Sequence, residues 1–228
     1  MLTPRAAQPL EGWARREVTT TSDVLWSFVG VRSRREPRLR SLPVTTWYLD
    51  MRDPSELRAA RRPSVDGVEV GRVRRPSPEL SRSFYEHVGR DWTWVGKLET
   101  TRSQWRSRVE RPGYELWIAR VGSEPAGYFE LEGAPGGDVE IASFGLLPGC
   151  IGKGLGGHLL TRCIRRAWDR ETTRVWVHTC SLDHPHARRN YEARGLRLYD
   201  TVTTRWELPA DPESLRVMPP PWLPPEEE

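Results

Sequence analysis

Residues 138–170 read DVEIASFGLLPGCIGKGLGGHLLTRCIRRAWDR, and the reading of this stretch decides the fold. Val139, Ile141, Phe144 and Leu146 sit in an alternating, β-rich run, which is a strand pattern. Pro148 and Gly149 end it. Gly152, Gly154, Gly156 and Gly157 follow within six residues. Beyond them Leu159, Leu160, Cys163, Ile164, Ala167 and Trp168 recur at helical spacing, with Arg162, Arg165, Arg166 and Asp169 on the other face. The stretch is therefore strand, glycine-rich turn, amphipathic helix. Such a turn presents backbone N–H groups beside the positive end of a helix dipole, which suits phosphate or pyrophosphate.

Outward from that stretch, the chain predicts helices early, then an antiparallel meander, then the strand–turn–helix, then strand, helix, strand. Residues 44–51 predict a first strand and 68–73 a short second one. Residues 78–88 predict a helix with Ser77 as N-cap and Pro78 in its first turn, and 101–109 another. Residues 114–121 pair with 126–131 across Gly122-Ser123-Glu124-Pro125, and Gly133–Gly137 turns the chain into the central strand. Further on come a strand at 174–179, a short helix at 186–194 closed by Gly195, and a last strand at 199–208. The class is α+β, or mixed α/β with one crossover helix. The expected division is a basic arm at 1–42, one domain at 43–208 and a proline-rich acidic tail at 209–228.

Composition narrows the function classes. The formal charge is +4, and residues 1–40, with eight arginines and four acidic residues, carry all of it. A nucleic-acid cleft in the folded part is therefore not expected, and the arm reads as a solvated tail. No run is long enough for a transmembrane helix, and the start lacks an apolar signal core. Cys150, Cys163 and Cys180 make no paired framework and no CxxC, so a reducing, cytoplasmic setting is expected.

Gly152-Lys153-Gly154-Leu155-Gly156-Gly157 also fits GxGxxG, but the acidic residue a dinucleotide fold needs about twenty residues on is missing. No Gly-Lys-Ser/Thr closes a P-loop either. The run from Ile151 through Gly156 instead resembles the acyl-CoA signature Gln/Arg-x-x-Gly-x-Gly/Ala of the GNAT superfamily of N-acetyltransferases, with Ile151 in place of Gln or Arg. His184-Pro185-His186-Ala187 and Tyr191 through Leu196 resemble that family's second landmark, with His184 where Asn is usual.

That resemblance implies a mostly antiparallel central sheet, splayed at the CoA site and flanked by helices, and transfer of an acetyl group from acetyl-CoA to a primary amine by direct attack. It assigns CoA binding to Phe144, Gly145, Leu146, Gly152, Lys153, Gly154, Leu155, Gly156, Gly157 and His184. The Leu146 N–H would polarise the thioester carbonyl. The amine must lose a proton before it attacks, and Glu140, six residues before Leu146, is the candidate base. In a regular strand Glu140, Ala142, Phe144 and Leu146 share a face; a bulge would change that. Tyr191 matches the family's proton donor to the leaving thiolate. Trp92, Trp94, Trp105 and Tyr85 could line an acceptor pocket for a small-molecule or peptide amine. His178, His184, His186 and Asp183 invite a metal, but Pro185 divides them and no metal is expected. The alternative is a CoA-binding sensor or docking module of the same fold without turnover. Acceptor identity and oligomeric state stay open, a homodimer being compatible.

Overall fold

The computed structural model describes residues 39–209 apart from Glu99, Pro135 and Arg170. The rest of the basic arm and the acidic tail lie outside the described residues. Seven strands form one sheet in the order β2-β3-β4-β5-β6-β1-β7. They are β1 (Leu39–Met51), β2 (Val68–Arg72), β3 (Tyr114–Val121), β4 (Glu124–Gly133), β5 (Asp138–Leu146), β6 (Arg174–Cys180) and β7 (Arg197–Pro209). Four α-helices flank it: α1 (Pro78–Gly89), α2 (Arg102–Val109), α3 (Leu155–Trp168) and α4 (Ala187–Ala193). The expected α+β class and element order are what the structure has.

Local chemistry explains the helix starts. The Ser77 hydroxyl accepts from the Leu80 N–H, with Pro78 in the first turn of α1. Thr101 and Gln104 form a reciprocal capping box on α2. Gly195, at φ 102°, closes the turn after α4.

β1, β4, β6 and β7 run longer than expected, β3 has the expected bounds and β2 ends one residue early. β1 starts at Leu39, because it pairs with β7 along its whole length, from Leu39 opposite Pro209 to Asp50 opposite Arg197. Pairing of β1 with β6 begins only at Thr46, so Pro43, which lacks an N–H, sits beyond the reach of β6. The first strand therefore lies between two of the last three, a placement no local pattern announces.

Register in β4 and β5 sets the two faces. Glu140 lies opposite Glu132 and Ile141 opposite Leu131, but Ser143 lies opposite Glu130, which leaves Ala142 as a bulge. The bulge corrects the single face expected for Glu140, Ala142, Phe144 and Leu146. Glu140, Ser143 and Gly145 follow Glu132, Glu130 and Tyr128 toward α1 and α2, whereas Phe144 and Leu146 join Val139 and Ile141 against α3. On the α3 side Leu159, Leu160, Cys163, Ile164 and Ala167 are buried against Phe129, Leu131, Val139 and Val175. Each large side chain in that layer contributes about 1.5–3 kcal/mol by leaving water. A second cluster, Phe84, Val88, Val109, Leu116 and Tyr128, holds α1 and α2 to the other face.

β5 and β6 are the parallel neighbours, and they pair only over three rungs, Asp138 with Arg174 to Glu140 with Trp176. β5 continues to Leu146 and β6 to Cys180 without further pairing. The sheet is thus open between them, with Glu140 at the fork.

Candidate functional site

The opening is lined by main chain on its β5 side. The Leu147 N–H donates to Ala126 O on β4 at 2.9 Å. Because successive amides of a strand point to opposite edges, the Leu146 N–H is directed away from β4, into the opening. Gly145 is glycine because it leaves room for α1. A Cβ there would run into Val88 Cγ1 of α1 and meet the Trp94 ring at 3.9 Å. The bulge itself is three residues upstream, at Ala142.

The glycine turn lies where β5 hands over to α3. Gly152 and Gly154 adopt φ of 85° and 74°, which a side chain would strain. Gly154 is the N-cap of α3, and no side chain caps the helix, so its first-turn amides are left for another acceptor. Gly156 faces Leu146 and Asn190, whose amide donates to Gly156 O at 3.4 Å. Lys153 is exposed on the turn. The turn can hold a phosphate group through main-chain donors alone.

At the fork Glu140 is largely buried, and its carboxylate lies 3.4 Å from His178 Nδ1. Below it is a charged cluster that sequence reasoning missed. Glu130, 1% exposed, accepts from Tyr114 Oη at 2.7 Å and Arg108 Nη2 at 3.0 Å, and from the Ser81 hydroxyl. Arg108 also reaches Glu132 at 2.7 Å. Burial alone would raise the Glu130 carboxyl, but Arg108 and Lys97 outweigh it and hold it below the usual carboxylate range.

Lys97 is the second omission. Its Nζ sits 5.2 Å above the Tyr85 ring and donates to Ser143 Oγ at 3.3 Å and Ala142 O at 3.5 Å. No carboxylate of the described residues lies within 4.0 Å of it. Burial first, then Arg108, brings its pKa down from 10.5 to about 8. The unfolded chain therefore binds more protons than the folded one between those values, and folding stability rises with pH through that window. Lys97→Met is expected to stabilise the protein at pH 7 by on the order of 2 kcal/mol, an advantage that fades by pH 10.5. Urea unfolding at both pH values checks this; a pH-independent difference would count against it.

Aromatic residues expected around an acceptor are divided by the structure. Trp105 is core, 1% exposed. Trp94 Nε1 donates to Asp183 Oδ1 at 2.8 Å, and Asp183 also accepts from Thr179 Oγ1 and the Cys180 N–H. The indole thus ties the segment after α1 to the loop after β6. Trp92 meets His184 edge-on at 4.7 Å between ring centres. His184 Nδ1 accepts from the His186 N–H at 3.0 Å. Tyr191 is buried edge-on to Phe144 at 6.0 Å, and burial pushes its phenol up, so it stays protonated.

Other chemistries find less support. Asp183 is engaged structurally, and among the described residues no group of three or more His, Cys, Asp or Glu side chains could hold a metal ion. The three cysteines are free; burial raises the Cys163 thiol, and burial then Asp183 raise Cys180 to about 11, which leaves both poor nucleophiles. No helix among the described residues is long and apolar enough to cross a membrane. A cavity of about 410 Å³ lies elsewhere, between α3 and the outer strands, lined by Leu57, Val70, Trp117 and Trp168.

A model of the acetyltransferase (GNAT) family matches residues 80–196, just over half of the chain. A GCN5-related N-acetyltransferase from Sphaerobacter thermophilus superposes with a TM-score of 0.53 at 20% identity, over 74% of this chain and 53% of that one. One from Kribbella flavida gives 0.52 at 20% identity, over 77% of this chain and 63% of that one. Both likenesses are of fold, and this chain spans less than two thirds of either protein. Curated proteins yield no match to the sequence.

Proposed function

Since the chain belongs to the acetyltransferase (GNAT) family, we propose that it moves an acetyl group from acetyl-CoA to a primary amine of a small molecule or peptide by direct attack. The observation that carries this reading is the opening between β5 and β6, with an amide directed into it at Leu146, an uncapped glycine turn at one end and Glu140 at its fork.

In this reading the amides of Gly152, Lys153, Gly154, Leu155, Gly156 and Gly157 hold the diphosphate, with Lys153 adding charge. Main chain of Phe144, Gly145 and Leu146 lies along the pantetheine, and His184 contacts it from the loop after β6. The Leu146 N–H meets the charge that grows on the thioester oxygen. α3 and α4 cover one face of the sheet, so the amine arrives from the α1 side, where Glu140 takes its proton directly or through water. The amine nitrogen bonds to the carbonyl carbon, the C–S bond breaks, Tyr191 gives a proton to the thiolate, and the second proton shed by the nitrogen as the amide forms restores the Tyr191 phenol through water. We also assign the protein to the cytoplasm, on its free thiols.

The test is thermal stability with acetyl-CoA, followed by an amine panel read by free-thiol release. Ligand at a hundred times its Kd is expected to add about 2.7 kcal/mol of stability. No shift with acetyl-CoA would end the reading. A CoA-binding module without turnover is the second reading, favoured by the Trp94–Asp183 bond across the acceptor side. A thermal shift with no thiol release across the panel would select it.

A further inference from the structure

Between β1 and β2 the chain has no α-helix or strand, yet it is pinned to the glycine turn and its helix. The Arg58 N–H donates to Arg194 O at 3.1 Å, the Ala60 N–H to Thr161 Oγ1 at 3.0 Å, and the Ser64 hydroxyl to Lys153 O at 3.3 Å. The strap thus runs from the end of α4, across the start of α3, to the turn. Pro63 Cα comes within 3.6 Å of where a Cβ on Gly154 would stand, and Ala60 Cβ within 3.1 Å of one on Gly157.

The strap carries Arg58, Arg61 and Arg62, all exposed. None of them has a carboxylate of the described residues within 4.0 Å, and neither does Lys153 or Arg194; by contrast Arg72, Arg108, Arg166 and Arg174 are all ion-paired. Arg194 is the most telling. Its guanidinium packs on Gly157, its Nε is buried with no hydrogen-bond partner among the described residues, and burial lowers its pKa. His158, on the first turn of α3, is also drawn down, by burial and then by Arg162, Arg165 and Arg62.

We propose that the strap and Arg194 form a collar that reads the 3′-phosphate of the donor's nucleotide, so that CoA is preferred over dephospho-CoA. This rests on the donor being CoA, as proposed above. Main-chain amides of the turn suffice for the diphosphate, which leaves the surrounding cations without an anion among the described residues. A phosphate monoester carries about −1.5 to −2 charges at neutral pH and offers three acceptor oxygens. Guanidinium groups bind such oxygens two at a time. The strap supplies cations to the turn from another part of the chain.

Titration calorimetry of the full chain with CoA and with dephospho-CoA tests the collar. The wild-type protein is expected to bind CoA about 10- to 100-fold more tightly, a preference that shrinks as salt is raised. Arg61→Gln/Arg62→Gln, at exposed positions, is expected to lose most of that preference by weakening CoA alone. The His158 pKa, followed by NMR, is expected to rise more with CoA than with dephospho-CoA. Equal affinity for the two ligands in the wild type, or an unchanged preference in the double variant, would overturn the collar and leave the donor assignment standing. Binding of neither ligand would overturn both.

Discussion

Glu140→Gln is expected to lower kcat by about 10²- to 10⁴-fold and to leave acetyl-CoA affinity unchanged. Glutamine keeps the shape of the side chain but cannot take a proton. The position matters as much as the chemistry. Glu140 occupies the last rung shared by β5 and β6, whereas the glycine turn proposed to grip the donor lies beyond the far end of β5. Donor binding and proton removal are therefore separable. Initial rates by thiol release, set beside calorimetric titration with CoA, make the separation visible. Activity within about threefold of wild type would remove Glu140 as the base. His178, 3.4 Å away, loses its partner in the same variant, so His178→Gln is the matching control. If it falls as far as Glu140→Gln, the two act as a unit.

The largest loss of stability is expected at Glu130. Glu130→Gln leaves Arg108, whose Nε already lacks a partner, with Glu132 alone, and removes the charge that offsets Lys97. Breaking a buried ion pair by removing one member costs about 3–5 kcal/mol, because the other charge stays desolvated. For a domain of this size that lowers Tm by roughly 10 °C. The folded carboxyl lies below its ordinary value, so its contribution is present above the unfolded pKa and is lost as pH falls through the folded one. Denaturation curves of wild type and variant are thus expected to differ most near neutrality and to converge in acid. A difference under about 1 kcal/mol at pH 7 would show that hydroxyl donors, not charge, hold the cluster.

Most elements were legible because their signals are local. Ser77-Pro78, Thr101 with Gln104, and Gly195 act on their own backbone neighbours. The glycine turn was legible for the same reason: positive φ at Gly152 and Gly154 is a property of those residues themselves. What stayed hidden depends on partners distant in the chain. The slot of β1 is decided by pairing with β6 and β7. The Ala142 bulge is visible only against β4, since Glu140 to Leu146 alternates plausibly either way. Lys97 looks like a loop lysine until Tyr85 and Ser143 close around it. The strap has no period, and its relation to the turn comes from contacts with Thr161, Lys153 and Arg194.

The slot of β1 also bears on how the molecule is made. Thr46 has Cys180 on one side and Val202 on the other. As the polypeptide leaves the ribosome, this segment emerges long before either companion and has both edges bare until β6 and β7 follow. This half of the sheet therefore cannot be laid down strand by strand in the order of synthesis. The growing chain must keep those edges shielded until β6 and β7 arrive on either side.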